Sequence, residues 1–345
     1  MQNINKVSFD KQPKTSEELI QQLKDRGMTI KDKDFAKEIL SKVSYYRLSG
    51  YWFKYQNKSK SDISKISKTE LENFFKEITF ENIVDIYKFD SKLRSLCFDA
   101  LEKIEVSINT VISDYMCNKY GTCWFLDKNN IKTIKYSKKK GNGTLEEIIV
   151  FSYDKLIEQI KKDIQKNNKA PFIKSFYKKY NNKFPPYWIV SQIITFGTIS
   201  KIYSALSYDN RKEISKKLNF NETFLNMNLK ALAHIRNTCA HYSRLWNNKN
   251  SLTPANIKFN RIERNSVYNY TFHTEKSNDR TIFPVIYTIA LFLINLYPKS
   301  KWVSLINNKI EEYQEKTNNL VSFKNMGFPD NWQEVPLFKV MLENK

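Results

Sequence analysis

Arg236, Asn237 and His241 bring together the residue types for proton transfer beside a fixed positive charge. An imidazole titrates near neutral pH and can take up a proton or give one back. A guanidinium stays charged and offers rigid donors to an oxyanion or a phosphoryl oxygen. An Arg followed five positions later by a His is a sparse pattern in itself. With nine Arg and three His in the chain, however, chance supplies it only about 0.1 times. The plainer reading is an arginine at a helix end and an ordinary surface imidazole.

These residues need an element to hold them. Leu225, Leu229, Leu232, Ile235, Cys239, Tyr242 and Trp246 recur every three or four positions with no Gly or Pro between them, which predicts one helix over 225–247 with a single buried stripe. At about 100° per residue, Asn237 and His241 share the face opposite that stripe and Arg236 lies at its shoulder. The polar group therefore points away from its own protomer's core. A two-fold homodimer that pairs two such helices would enclose the group and supply two His and two Arg to one site.

The rest of the composition bounds the partner. The chain has 345 residues, 41% of them hydrophobic and 14% aromatic, enough to fill a core. Only 7 Gly and 9 Pro favour a mainly helical fold. A coding bias towards A and T accounts for Lys outnumbering Arg, yet not for a net charge of +21, which attracts polyanions and points to nucleic acid. No basic amphipathic segment, lipidation signal or signal-peptide stretch stands out, and the apolar run from Ile282 to Tyr297 falls short of a bilayer span, so it reads as a buried helix with no membrane partner. Cys97, Cys117, Cys123 and Cys239 are too sparse for a disulfide framework and have no His at ligand spacing. A cytoplasmic protein with no metal and no cofactor is expected.

Along the chain, Thr15 and Glu18 predict a capped helix closed by Gly27, and a second helix begins near Asp32 or Asp34. It leads into Tyr45-Tyr46-Arg47-Leu48-Ser49-Gly50-Tyr51-Trp52-Phe53. This cluster reads either as a packed aromatic plug or as a base-stacking surface beside Arg47. Residues 57–69 read as a linker, and Phe74 to Tyr115 as one long helix or two. Glu102 and Glu105 read either as orienting partners of Arg236 or His241 or as exposed acids paired with Lys. Lys128 to Thr144 reads as a basic loop, with Lys138, Lys139 and Lys140 either solvated or gripping phosphate. Helices are expected over Glu146 to Tyr180, a small hairpin within 248–281, and helices after Phe283 and after Lys299. The resulting organisation is an N-terminal helical region over 1–68, a helical core over 69–299 with a basic insertion around 128–180, and a C-terminal extension over 300–345.

The string Arg236-Asn237-x-Cys239-Ala240-His241-x-x-Arg244-Leu245-Trp246-Asn247 resembles the signature of the Abi-D/Abi-F-like abortive-infection proteins, whose core is a HEPN domain. Arg26-Gly27-x-x-Ile30, Tyr45 to Trp52, Tyr87-x-Phe89-Asp90-x-x-Leu93-Arg94 and Ile104-Glu105-Val106 are similar to the same family. So are Pro186-x-Trp188 with its helix ending in Phe196-Gly197, and Met326-Gly327-Phe328-Pro329-x-x-Trp332. The resemblance implies a mainly α fold, a HEPN-type helical bundle with an added N-terminal helical region and a C-terminal helical extension. It also implies a metal-independent RNA endonuclease acting as an anti-phage toxin, with 2′-OH attack leaving a 2′,3′-cyclic phosphate.

On this resemblance Arg236 and His241 are catalytic, Asn237 orients the imidazole or a phosphate oxygen, and Tyr242 and Arg244 position substrate. Homodimers are common among such proteins, and an antitoxin or a structured non-coding RNA would restrain the toxin. Two positions depart from the pattern. Asn109 stands where relatives commonly carry Arg, and Gln192 stands where they often carry Glu, so an acid assisting there would have lost its charge. These departures sustain the alternative of a catalytically inactive HEPN-fold module that binds or senses RNA.

Overall fold

In the computed structural model, which describes residues 12–56, 78–141, 143–247 and 281–343, helices begin where local chemistry can start them. Thr15 caps α1 (Ser16–Asp25) in a reciprocal capping box with Glu18, satisfying two backbone N–H groups that a helix start leaves open. Asp32 caps α2 (Lys33–Lys42) by accepting from Phe35 N, and Ser44 does the same for α3 (Tyr45–Trp52) through Arg47 N. The fold is mainly helical, and its described residues divide into two units. One takes the residues up to Lys92 with Lys309–Ser322, the other Leu93–Asn308 with the residues from Phe323 onward. The expected linker at 57–69 and the expected hairpin within 248–281 lie, but for Thr281, outside the described residues.

The first unit is built on aromatic packing. Leu48, Tyr51, Trp52 and Tyr55 are buried. The Tyr51 ring meets Tyr87 edge-on at 5.5 Å between centroids, and the Tyr51 hydroxyl donates to the buried Asp90 carboxylate at 2.7 Å. The plug reading therefore holds for this part of the cluster. Tyr46, Arg47 and Phe53 face solvent. Late in the chain, Tyr313 packs its ring 5.5 Å from that of Phe89, and the buried Thr317 hydroxyl ties Tyr313 O to Val321 N.

α4 (Phe80–Tyr120) is one continuous helix of 41 residues, about 60 Å long. Its apolar residues keep a helical period throughout, from Ile83 and Phe89 to Ile112 and Met116, all buried. No Gly or Pro breaks it.

In the second unit the basic region departs from expectation. Ile134–Lys139 form β1 and Leu145–Phe151 form β2, an antiparallel hairpin where the sequence reading has a loop running into a helix. The β-branched run Ile148-Ile149-Val150 favours strand, and Lys135 bonds Glu147 across the ribbon at 2.7 Å. Helices resume with α5 (Tyr153–Lys166), α6 (Pro171–Lys179) and the single turn α7 (Tyr187–Val190). α8 (Phe196–Ala205) starts at Phe196 under a Thr195 cap. Phe196-Gly197 thus opens a helix rather than ending one, because the single turn that starts after Pro186 already ends at Val190 and Thr195 caps a new helix.

α9 (Tyr208–Lys217) and α10 (Glu222–Ala240) follow, capped by Ser207 and Asn221. α11 (Phe283–Leu296) is buried on all sides from Phe283 to Ile294, as expected for the apolar run. Among the described residues no helix is long and apolar enough to cross a membrane. α12 (Trp302–Lys316) and α13 (Pro336–Glu343) complete the chain. Between them Gly327 adopts φ +83°, and a Cβ there would stand 2.1 Å from the Thr281 hydroxyl oxygen. This turn seats Phe328 among Phe283, Trp332 and Phe338, which gives the Met-Gly-Phe-Pro-x-x-Trp string a packing reason.

Candidate functional site

α10 carries the polar group. Asn221 opens it by accepting from Thr223 N and Phe224 N, and Leu225, Leu229, Leu232, Ile235 and Cys239 are buried as the period requires. Asn237 and His241 are exposed, while Arg236 is partly buried.

The helix is shorter than the predicted 225–247. It ends at Ala240, with His241 as its C-cap and Tyr242 at φ +56°. Ser243 N donates to Thr238 O at 3.0 Å and Tyr242 N to Cys239 O at 3.2 Å, the paired bonds of a Schellman ending. The reason is tertiary. On a continued helix Leu245 would lie only about 40° from His241 and face water; the turn lets Leu245 and Trp246 both bury. Tyr242, which the stripe would have buried, is 68% exposed. A Tyr in the left-handed region is strained, and Gly is not. Tyr242→Gly should therefore raise unfolding stability by about 1 kcal/mol, read from denaturant melts. A lower stability would mean that the ring makes contacts worth more than the strain.

Arg236 reaches across to α4. Its Nε lies 3.2 Å from Glu105 Oε2, with side-chain exposures of 31% and 15%, and its guanidinium carbon sits 5.5 Å from the centre of the Phe98 ring. Nε itself makes no directed hydrogen bond to Glu105, and the attraction between the two charges dominates the pair. The backbone N–H of Phe196, at the start of α8, also favours the charged form of Glu105. Burial pushes the Glu105 carboxyl above its ordinary range, and Arg236 opposes that rise. One carboxylate thus ties α4, α8 and α10 together.

Beside this pair lies a cleft of about 300 Å³ whose lining includes Glu102, Glu105, Asn109, Trp188, Gln192 and Arg236. The structure thus gathers Arg236 with Glu102, Glu105 and Gln192. His241 and Asn237 are not among the cleft residues, and they touch only through the backbone, His241 N donating to Asn237 O at 2.9 Å. Tyr242 and Arg244 follow on the turn. Lys138, Lys139 and Lys140 lie on and just beyond β1, with Lys140 Nζ 3.5 Å from Glu146. Arg47 belongs to the first unit. No cluster of three or more His, Cys, Asp or Glu placed to hold a metal occurs among the described residues. Phe98 escapes sequence reasoning and Trp188 shows there only as part of a motif, because only tertiary packing brings them to the surroundings of Arg236.

The matched family decides what kind of protein this is. Residues 38–247 match the model of the family described as Abi-like protein. The chain belongs to that family. The match spans α4 through α10 and ends at Asn247, so it takes in the Arg236 to His241 segment and the whole cleft lining. No curated protein and no solved structure matches the chain. Membership in the Abi-like family associates it with abortive infection and phage defence.

Proposed function

We propose that this Abi-like protein is a metal-independent RNA endonuclease that acts as an abortive-infection toxin. The observation that carries the reading is the Arg236 guanidinium, held 3.2 Å from Glu105, on the helix whose end presents an exposed imidazole at His241. The carbonyl end of a helix repels anions. A phosphate drawn there needs a compensating cation, and Arg236 and Arg244 supply it. In the reaction one His removes the 2′-OH proton as that oxygen attacks phosphorus, and a second, protonated His gives its proton to the departing 5′-oxygen. Arg236 neutralises the charge that builds on the phosphorane. The products are a 2′,3′-cyclic phosphate and a 5′-OH.

Two His suggest two protomers. Five residues apart on a helix, Arg236 and His241 diverge by about 140°, so one helix does not easily aim both at one phosphorus. A two-fold pairing of α10 ends lets Arg236 of one protomer work with the partner's histidine. Mixing equal amounts of wild type and His241→Ala under subunit exchange tests this. Activity should fall to roughly a quarter of an all-wild-type sample at equal total protein, since only wild-type homodimers hold both His. A value near half, or an active monomer in sedimentation, would reject the shared site and leave the ribonuclease reading standing. An antitoxin or a structured non-coding RNA would restrain such a toxin by covering the α10 end.

RNA affinity should also fall steeply with salt, through release of counterions by the lysine-rich surface. Replacing Lys138, Lys139 and Lys140 with Gln should lower the log–log slope by about one to two units. The low end applies if Glu146 already neutralises Lys140. An unchanged slope in filter-binding titrations would remove the hairpin from the RNA path.

A further inference from the structure

The cleft beside Arg236 is the wrong place for a phosphate. Glu102, Glu105 and Asp114 line it against the single cation Arg236, so an anion entering would meet an excess of negative charge. Its other walls are those of a ring pocket. Trp188 is 49% exposed and Val106 58%, and Ile194 and Ile199 also line it. A volume of about 300 Å³ is at the small end for ligand pockets, a fit for one planar base rather than for a longer ligand.

Beside the donors of Arg236 and Gln192, the cleft offers acceptors. Asn109, 8% exposed, donates its Nδ2 to Ser191 O at 2.9 Å, which leaves its Oδ1 buried in the cleft lining without a donor. A buried acceptor left open costs free energy unless something fills it. Glu105 is occupied by Arg236 and Phe196 N. Glu102 is one turn away on α4 and exposed, and it has no hydrogen bond or ion pair among the described residues. Its two oxygens suit a ligand edge that carries two adjacent donors.

We propose that this cleft is a nucleobase subsite that selects guanine, with Glu102 reading the N1–H and N2–H groups, Trp188 stacking on the ring and Asn109 Oδ1 offering an acceptor to the amine. Among the standard bases only guanine places two donors side by side on its Watson–Crick edge. Adenine and cytosine set an acceptor next to their amine, and uracil sets acceptors on both sides of its N–H. Those acceptors would be repelled by a carboxylate. Recognition by stacking on an aromatic ring and by bonds to the Watson–Crick edge is the usual way a single-stranded RNA base is read. The subsite rests on the ribonuclease reading, for which it supplies sequence preference near the cut.

The test measures binding, so that it does not depend on cleavage. Full-length protein carrying His241→Ala is titrated by fluorescence anisotropy with labelled nine-residue oligouridylates whose central position is guanosine, inosine, adenosine or uridine. The guanosine oligomer should bind about tenfold more tightly than the others. Inosine, which lacks only the N2 amine, should fall with the weak group. Adding Glu102→Gln should bring all four affinities to within about twofold of one another. Equal affinities in the Glu102 protein, or a guanosine preference that survives Glu102→Gln, would overturn the assignment. So would displacement of the guanosine oligomer by N-acetyl-arginine methylamide but not by guanosine, because the cleft would then be built for an arginine of a protein partner. If wild type cuts no RNA yet guanosine is preferred, the ribonuclease reading falls and the subsite stands. Cleavage with no guanosine preference gives the reverse.

Discussion

His241→Ala is expected to lower RNA cleavage at least a hundredfold, and roughly a thousandfold where the imidazole serves both proton transfers, with wild-type cutting unchanged by EDTA. The exposed imidazole makes no side-chain hydrogen bond among the described residues, so its removal should leave stability within about 0.5 kcal/mol of wild type. Arg236 is different. Loss of an oxyanion-type donor costs about 10²–10³ in rate, but Arg236→Ala also strips the counter-charge from Glu105, which is only 15% exposed. A loss of about 1–3 kcal/mol in stability should accompany it. Arg236→Lys separates the two effects, since it keeps the charge and gives up the rigid fork. It should melt close to wild type and still cut poorly. If His241→Ala cuts like wild type, or if chelation abolishes wild-type cutting, the proposed acid–base mechanism is wrong.

The second large effect lies at the other end of α10. Arg211 on α9 pairs through Nε with Glu222, the first residue of α10, with side-chain exposures of 18% and 10%. The same guanidinium donates to Ser204 O at 3.2 Å and Leu206 O at 3.0 Å at the end of α8. Glu222→Ala leaves a guanidinium enclosed without its anion, and breaking such a pair costs about 3–5 kcal/mol. Arg211→Ala should cost as much, because it also orphans two carbonyls. The double replacement should cost clearly less than the two single losses added together. Additive losses in urea melts would show that the groups act separately. Because α10 also carries Arg236, partial unfolding of its start should reduce cleavage near the melting range, with little change well below it.

The parts of the fold that could be read in advance are those decided locally. Thr15 with Glu18, and Asp32, set helix starts through bonds three residues long, and the uninterrupted period of α4 needs no tertiary information. The basic segment was open to misreading. Leu145-Glu146-Glu147-Ile148-Ile149-Val150 contains both helix-forming acids and a β-branched run, and its pairing with Ile134–Lys139 across a Gly-containing turn decides the outcome. The end of α10 was hidden for a similar reason. No Gly or Pro marks it, and burial of Leu245 and Trp246 carries the chain through a left-handed Tyr242. At the site, the motif's types and spacing single out Arg236 and His241, and the structure places Glu105 against Arg236. Trp188, Phe98 and the open oxygen of Asn109 are set by packing between distant segments, and no spacing rule along the chain reports that.

The way the two units share the chain has a consequence for synthesis. The unit that begins with α1 includes Lys309–Ser322, whose Tyr313 packs against Phe89. The other unit includes the residues from Phe323 onward, where Phe328 packs against Phe283. A ribosome must therefore add about two hundred residues after Lys92 before the first unit can close, a delay of roughly 10–40 s at ordinary elongation rates. Nascent chains and products truncated before that point lack part of each unit. Neither unit can be completed until the late segments that carry Tyr313 and Phe328 have been made.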